Sequence, residues 1–437
     1  MALSTDTPEA VGLNGQRLKR LECWLEQQVE SHRLQGATAL ISRRGKNAFF
    51  HATGDLRRDS VVRLFSMTKP VTTVAAMMLY EQGHFQLDDP LALYLPEFIH
   101  TPVWNGEKVL SSRATPDDVL NHVEAQQSPI TIHHLLTHTS GLSYGFMNAT
   151  PVDAYYRHHK LDTVGVNESL SSMVTRLAKA PLLAQPGTAW NYSVSTDVLG
   201  RLIEIWSGQS LADFMELNIL QPLGMSDTGF YVKPAQQSRF THLYGPAAGG
   251  ELGAVNGHGH DSWQARVEET HRARQVLQPP VVLEPADASL FNNAPTLESG
   301  GGGLVGTIDD FSRFCQMLLN GGELQGSRLL SYKTVEYMRQ NHLPDNNDMA
   351  AMGQAVWSET SYQGVGFGLG FAVVVDPVSA RMITSKGEHH WGGAASTFFW
   401  IDPEEDMVVV FVTQLYPSSA YPLRRELRSL VYQALES

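Results

Sequence analysis

Leu64-Phe65-Ser66-Met67-Thr68-Lys69-Pro70, running into Val71-Thr72-Thr73-Val74-Ala75-Ala76-Met77-Met78-Leu79-Tyr80, is the stretch on which the reading of this chain turns. The run after Pro70 is apolar on most faces, so it predicts a helix buried on all sides rather than lying on a surface. A proline this early is tolerated, because the first turns have few helical hydrogen bonds to lose. Ser66 then sits at the N-terminal end of a buried helix, where free N–H groups and the helix dipole favour developing negative charge. Ser66 and Lys69 are three residues apart and share one helix face. A serine hydroxyl needs a neighbouring group to take its proton, and a lysine stripped of water can become that group. Ser-x-x-Lys by itself is common in helices, so its weight depends on what the rest of the chain places beside it.

The remaining composition narrows the setting. The chain has 437 residues, 42% hydrophobic and 18% charged, which suits an ordinary folded protein of two domains or one with a large insertion. Its net charge of −13 excludes a general nucleic-acid or anionic-membrane surface. Cys23 and Cys315 are the only cysteines, leaving room for one bridge at most and none for a disulfide scaffold. No apolar run approaches the length of a membrane span. Met1 to Glu9 carries neither a basic n-region nor an apolar h-region, so a cytoplasmic protein is expected.

Working outward, Asn14 to Ser31 has helical periodicity, and Ala37–Ser42 and Asn47–His51 read as strands joined by a turn at Arg43-Arg44-Gly45-Lys46. Near the other end, Phe367–Val375, Arg381–Thr384, Ser396–Ile401 and Met407–Gln414 read as strands, and Tyr421–Leu435 as a closing helix. The expected fold is α/β (α+β): an antiparallel sheet built from both chain ends with flanking helices, beside a mostly helical lobe. The expected domains are 1–86 with 301–437 for the sheet, and 87–300 for the lobe. Within the lobe, 244–284 is rich in Gly, His and Pro with little periodicity and reads as an irregular excursion.

Further motifs answer Ser66-x-x-Lys69 in order. They are Thr131-Ile132-His133-His134-Leu135-Leu136-Thr137-His138-Thr139-Ser140-Gly141-Leu142, Pro186-Gly187-Thr188-Ala189-Trp190-Asn191-Tyr192-Ser193, Ser299-Gly300-Gly301-Gly302-Gly303-Leu304 and Trp391-Gly392-Gly393. Together they resemble the serine β-lactamase-like superfamily: class C β-lactamases, penicillin-binding DD-peptidases and family VIII carboxylesterases. The resemblance spans about residues 10 to 435 and implies an active site in the groove between sheet and helical lobe.

The resemblance matches Ser66 to the nucleophile, Lys69 to its helical partner and Tyr192 to the tyrosine of a Tyr-x-Asn motif. A neighbouring ammonium lowers a phenol's pKa, so Tyr192 and Lys69 are read as sharing one proton between them. The asparagine of that motif is replaced by Val194, and the Lys-Thr-Gly of lactam-processing relatives is absent. Two alignments stand in its place: His390-Trp391-Gly392, or Trp391-Gly392-Gly393 as in family VIII esterases, the preferred one. Either way, the lysine that would grip a lactam or peptide carboxylate is gone, and what remains is an indole and two glycines. Trp391, Gly392, Gly393 and His390 are expected to line the substrate, the glycines through close backbone approach. Tyr144 lines the acyl pocket or is a plain structural aromatic. The implied oxyanion hole is the backbone N–H of Ser66 and of Ala394, or of Gly393 in the other alignment.

Rival motifs are weaker. Gly-x-Ser-x-Gly does not occur, and Gly224-Met225-Ser226-Asp227-Thr228-Gly229 has the wrong spacing. His133, His134 and His138 lack a His-Glu-x-x-His partner and read as structural; His258-Gly259-His260-Asp261 lacks a following histidine. No metal and no cofactor is expected. The chemistry expected is that of a serine hydrolase cleaving short-chain carboxylic esters, a small-molecule substrate, with no nucleic-acid or membrane partner. β-Lactamase, D-amino-peptidase or amidase, acyltransferase, and an idle binding protein on the same scaffold remain as alternatives.

Overall fold

Seven strands form one antiparallel sheet in a computed structural model that describes residues 3–107, 115–162, 167–247, 278–353, 362–418 and 420–436. They are β1 (Gly36–Arg43), β2 (Lys46–Gly54), β3 (Val365–Phe367), β4 (Ala372–Val374), β5 (His389–Gly392), β6 (Phe398–Asp402) and β7 (Met407–Val412). Their order is β3-β4-β5-β6-β7-β1-β2, so β1 beside β7 joins the two ends of the chain, with Leu40 opposite Val410. Every residue of β1 and β7 is buried, because helices cover both faces of the sheet. Arg44 and Gly45 both take positive φ, which makes the tight β1–β2 turn and matches the strands' twist.

Strand alternation sorts the core. Ala39, Ile41, Val409 and Phe411 face α1 (Gly15–Glu30) and α5 (Leu423–Tyr432) in one cluster. Leu40, Val408, Val410 and Trp391 face the other way, into the core shared with α2 (Thr68–Glu81), α3 (Ser195–Ser207) and α4 (Ile308–Leu319). α2 is buried almost throughout, as its uniform apolarity requires.

Three expectations fail locally. Phe367–Val375 is a hairpin rather than one strand: Gly368 N donates to Phe371 O at 2.8 Å, and Gly370 turns at φ +88. A Cβ at Gly370 would lie 2.3 Å from Thr73 Oγ1, so the turn presses on α2. Arg381–Thr384 is not a strand, because Asp376 caps a short helix, Pro377–Ala380, that ends on Arg381 at φ +55. The ends of the 244–284 excursion are regular: Leu243–Gly245 pairs antiparallel with Val281–Glu284. The stretch 248–277 lies outside the described residues, and His258-Gly259-His260-Asp261 lies there. Cys23 and Cys315 are both free thiols, so the one bridge the sequence allowed is not formed. Among the described residues no helix is long and apolar enough to cross a membrane.

Candidate active site

The chain reaches Ser66 through a strained corner. Val62–Arg63 pairs with Val305–Gly306, and Phe65 then adopts φ +46, a left-handed conformation unusual for a bulky residue. A 3-10 turn, Phe65–Met67, follows and runs straight into α2. Ser66 therefore stands one turn ahead of the α-helix proper, with Lys69 in the helix's first turn.

Tyr192 OH donates to Ser66 Oγ at 2.6 Å, and Lys69 Nζ lies 3.3 Å from the same oxygen. Lys69 also donates to Gly301 O at 2.7 Å. Its side chain is 1% exposed, and Tyr192 is fully buried. Burial pulls the lysine's pKa down to about 7, while the charge of Asp197 pulls it upward. Burial pushes the Tyr192 phenol well above its ordinary value, against the pull of Ser66 and Trp391. The indole Nε1 of Trp391 influences the phenol without making a formed hydrogen bond. Burial thus favours the neutral form of both groups, lowering the lysine and raising the phenol.

The sequence reading missed Asp197. It lies in the first turn of α3 and is 4% exposed. Its Oδ1 accepts from Ser299 Oγ at 2.6 Å and from Gly301 N at 3.0 Å. Asp197 therefore holds the glycine loop whose carbonyl grips Lys69. A side chain at Gly301 would meet Asp197 Oδ2 at 2.5 Å, so glycine is required there. The available signal was an acidic residue inside an otherwise apolar, buried helical run. Tyr144 flanks the same lysine, its ring centre 5.3 Å from Nζ, and stacks on Phe146. His138, read as structural, packs its ring 5.1 Å from that of Tyr192, and burial holds it neutral, far below its usual pKa.

On β5, Trp391 packs toward Tyr192, with ring centres 5.4 Å from both Tyr192 and Phe367. His390 alternates to the opposite face of the sheet, which turns its side chain away from Trp391 and its expected place against substrate. His390 Nδ1 lies 2.8 Å from Glu388 Oε1, and Arg428 of α5 pairs with the same oxygen at 2.8 Å. A Cβ at Gly392 would lie 2.6 Å from Arg424 Nη2. At Gly393 it would lie 2.3 Å from Leu64 O, so that glycine seats β5 against the backbone leading to Ser66. At both glycines a side chain would collide with the protein itself.

The Gly393 N–H is spent on Thr397 O at 2.8 Å, which removes it as an oxyanion donor. The N–H groups of Ser66 and Ala394 donate to no protein atom among the described residues. A polarised serine, a lysine titrating near neutrality and two uncommitted amides can together carry acyl transfer. A cavity of about 380 Å³ lined by Asp55, Arg239 and Tyr244 contains none of these groups.

The family model described as Beta-lactamase matches residues 21–433. The chain is 31% identical to Esterase EstB of Burkholderia gladioli, over 99% of this chain and 100% of that protein. It is 32% identical to Protein Rv1367c of Mycobacterium tuberculosis, over 88% of this chain and 86% of that one. Among solved structures it is similar to EstCE1, a hydrolase with promiscuous acyltransferase activity: TM-score 0.72, 28% identity, covering 95% of this chain and 99% of that one.

Proposed function

The chain belongs to the Beta-lactamase family, and from that premise we propose that it is a carboxylesterase working through an acyl-enzyme on Ser66. The observation that carries this reading is the double hold on Ser66 Oγ, by Tyr192 OH at 2.6 Å and by Lys69 Nζ at 3.3 Å. Tyr192 donates into one lone pair of the oxygen, which leaves the serine's own proton to face the neutral lysine. Lys69 takes that proton as Oγ bonds to the ester carbonyl carbon, and the Ser66 and Ala394 amides hold the oxyanion. When the tetrahedral species collapses, the C–O bond to the alcohol breaks. The leaving oxygen takes a proton from Tyr192, which Lys69 replenishes. Water then attacks the acyl carbon and gives a proton to Lys69; the bond from that carbon to Ser66 Oγ breaks, Oγ takes the proton back from Lys69, and the acid leaves.

Trp391 supports an ester over a lactam or peptide. It presents an apolar wall where a carboxylate-bearing substrate would demand a cation, and losing such a charge-assisted bond commonly costs ~1.5–3 kcal/mol. The similarity to Esterase EstB points the same way. Acyl transfer to another alcohol in place of water is the second reading, favoured by the likeness to EstCE1.

The test is kcat/KM for p-nitrophenyl butyrate, nitrocefin and a D-Ala-D-Ala peptide on one preparation, with and without an added primary alcohol. The short ester is expected to be turned over fastest, and Ser66→Ala to lose both turnover and fluorophosphonate labelling. A higher value for nitrocefin overturns the ester assignment; full activity of Ser66→Ala overturns the mechanism.

A further inference from the structure

Away from the cleft, one surface cluster gathers residues that no catalytic step uses. Asp117 lies in the 3-10 helix Pro116–Asn121, and His158 and His159 end the helix Pro151–His159. His159 Nε2 is 2.6 Å from Asp117 Oδ1, and one ligand atom from each of the three residues lies within 4.8 Å of the others. From these residues we propose a divalent transition-metal site of the zinc class, with two imidazoles and one carboxylate as ligands and water completing the shell.

The donor set selects the ion. Two imidazoles suit Zn²⁺ and its first-row neighbours, whereas Ca²⁺ and Mg²⁺ take oxygen ligands. Zinc bound at about 2.0–2.2 Å holds its ligand atoms roughly 3.5 Å apart, so the 2.6 Å His159–Asp117 contact must open and the 4.8 Å spread must close, each by about an ångström at the ends of surface side chains. Consecutive helical side chains diverge by about 100°, and two in a row converge most easily where a helix ends. Here Lys160, at φ +51, ends it.

The backbone beneath is already fixed, as a preorganised site requires. Arg176 donates to His159 O at 2.7 Å and to Lys160 O at 3.2 Å, and is itself paired with Glu168. The Tyr155 ring packs 4.2 Å from that of His159. A reciprocal Thr115–Asp118 cap sets the turn that carries Asp117. The ion would clamp the Pro151–His159 helix to the 116–121 turn. That helix backs the active-site wall: Arg157 donates to Gly145 O, beside Tyr144 and hence Lys69. The site therefore acts on rigidity and takes no part in the chemistry at Ser66.

The experiment titrates Zn²⁺ into EDTA-dialysed full-length protein by calorimetry, with Co²⁺ as a spectroscopic stand-in. One ion per chain, a visible Co²⁺ absorption band and a raised thermal midpoint are expected. Asp117→Asn, His158→Ala and His159→Ala should each weaken binding by roughly ten-fold or more, and the histidine variants should lose the band. His100→Ala, another exposed histidine, should change nothing. All of these positions are at the surface, so equal midpoints in EDTA check that each variant is folded. If a variant fails that check, the other two decide. Absence of binding at 100 µM Zn²⁺ overturns the site, as does binding of equal affinity in the three variants.

Discussion

Lowering the pH should silence the site by protonating Lys69, and the structure sets how steeply. An exposed lysine titrates at 10.5; burial brings Lys69 to about 7. At pH 7 about half of it is neutral, against roughly 0.03% of an unperturbed lysine, a gain on the order of a thousandfold in available base. That difference corresponds to about 5 kcal/mol between the two protonation states. Below the midpoint the neutral fraction falls about tenfold per pH unit, to roughly 10% at pH 6 and 1% at pH 5. The assay is kcat/KM for p-nitrophenyl butyrate from pH 5 to 9.5. An acid limb of unit slope centred near 7 is expected, with a plateau above it, because the phenol of Tyr192 is pushed upward and stays protonated across this range. Asp197→Asn sharpens the test. Asn keeps an oxygen for Ser299 and Gly301 but removes the charge that raises Lys69, so the limb should move to lower pH. Stability carries its own sign. The folded pKa lies below the unfolded one, so the unfolded chain binds more protons between about 7 and 10.5, and this group's contribution improves as pH rises through that window. An acid limb centred above 9, or a shift to higher pH in Asp197→Asn, would refute the assignment of Lys69 as base.

Three other perturbations separate chemistry from scaffold. Tyr192→Phe removes the 2.6 Å donor to Ser66 and should lower kcat by about 10²–10⁴, and adding Lys69→Ala should cost little more, as single and double variants' kinetics will tell. Glu388→Gln removes the buried carboxylate that Arg428 and His390 share; a loss of about 3–5 kcal/mol in urea unfolding is expected, with KM little changed. Gly393→Ala places a Cβ 2.3 Å from Leu64 O and must shift the backbone that presents Ser66. Its kcat should fall by roughly tenfold or more while unfolding shifts by only ~1–3 kcal/mol, and unchanged kcat would show that the Gly393–Leu64 contact does not set Ser66.

What the sequence alone determined is whatever depends on near neighbours and order along the chain. The buried helix Thr68–Glu81 was legible from its apolar run, β1, β2, β6 and β7 from alternation and turns, and Ser66, Lys69 and Tyr192 from motifs in their order. Two failures lay within reach of the same rules. Strand parity with Trp391 toward Tyr192 already sends the His390 side chain to the other face of the sheet, and Gly368 with Gly370 marks a turn inside Phe367–Val375. The rest depends on contacts between residues far apart in the chain. Asp197 bonds to Gly301 across more than a hundred residues, and Gly393 rests on Leu64 across more than three hundred. The direction in which burial moves the lysine and the phenol was decided only there too. Sequence sets Lys69 beside a tyrosine, but how far a pKa moves depends on the water removed from around it, and only the folded core removes that water.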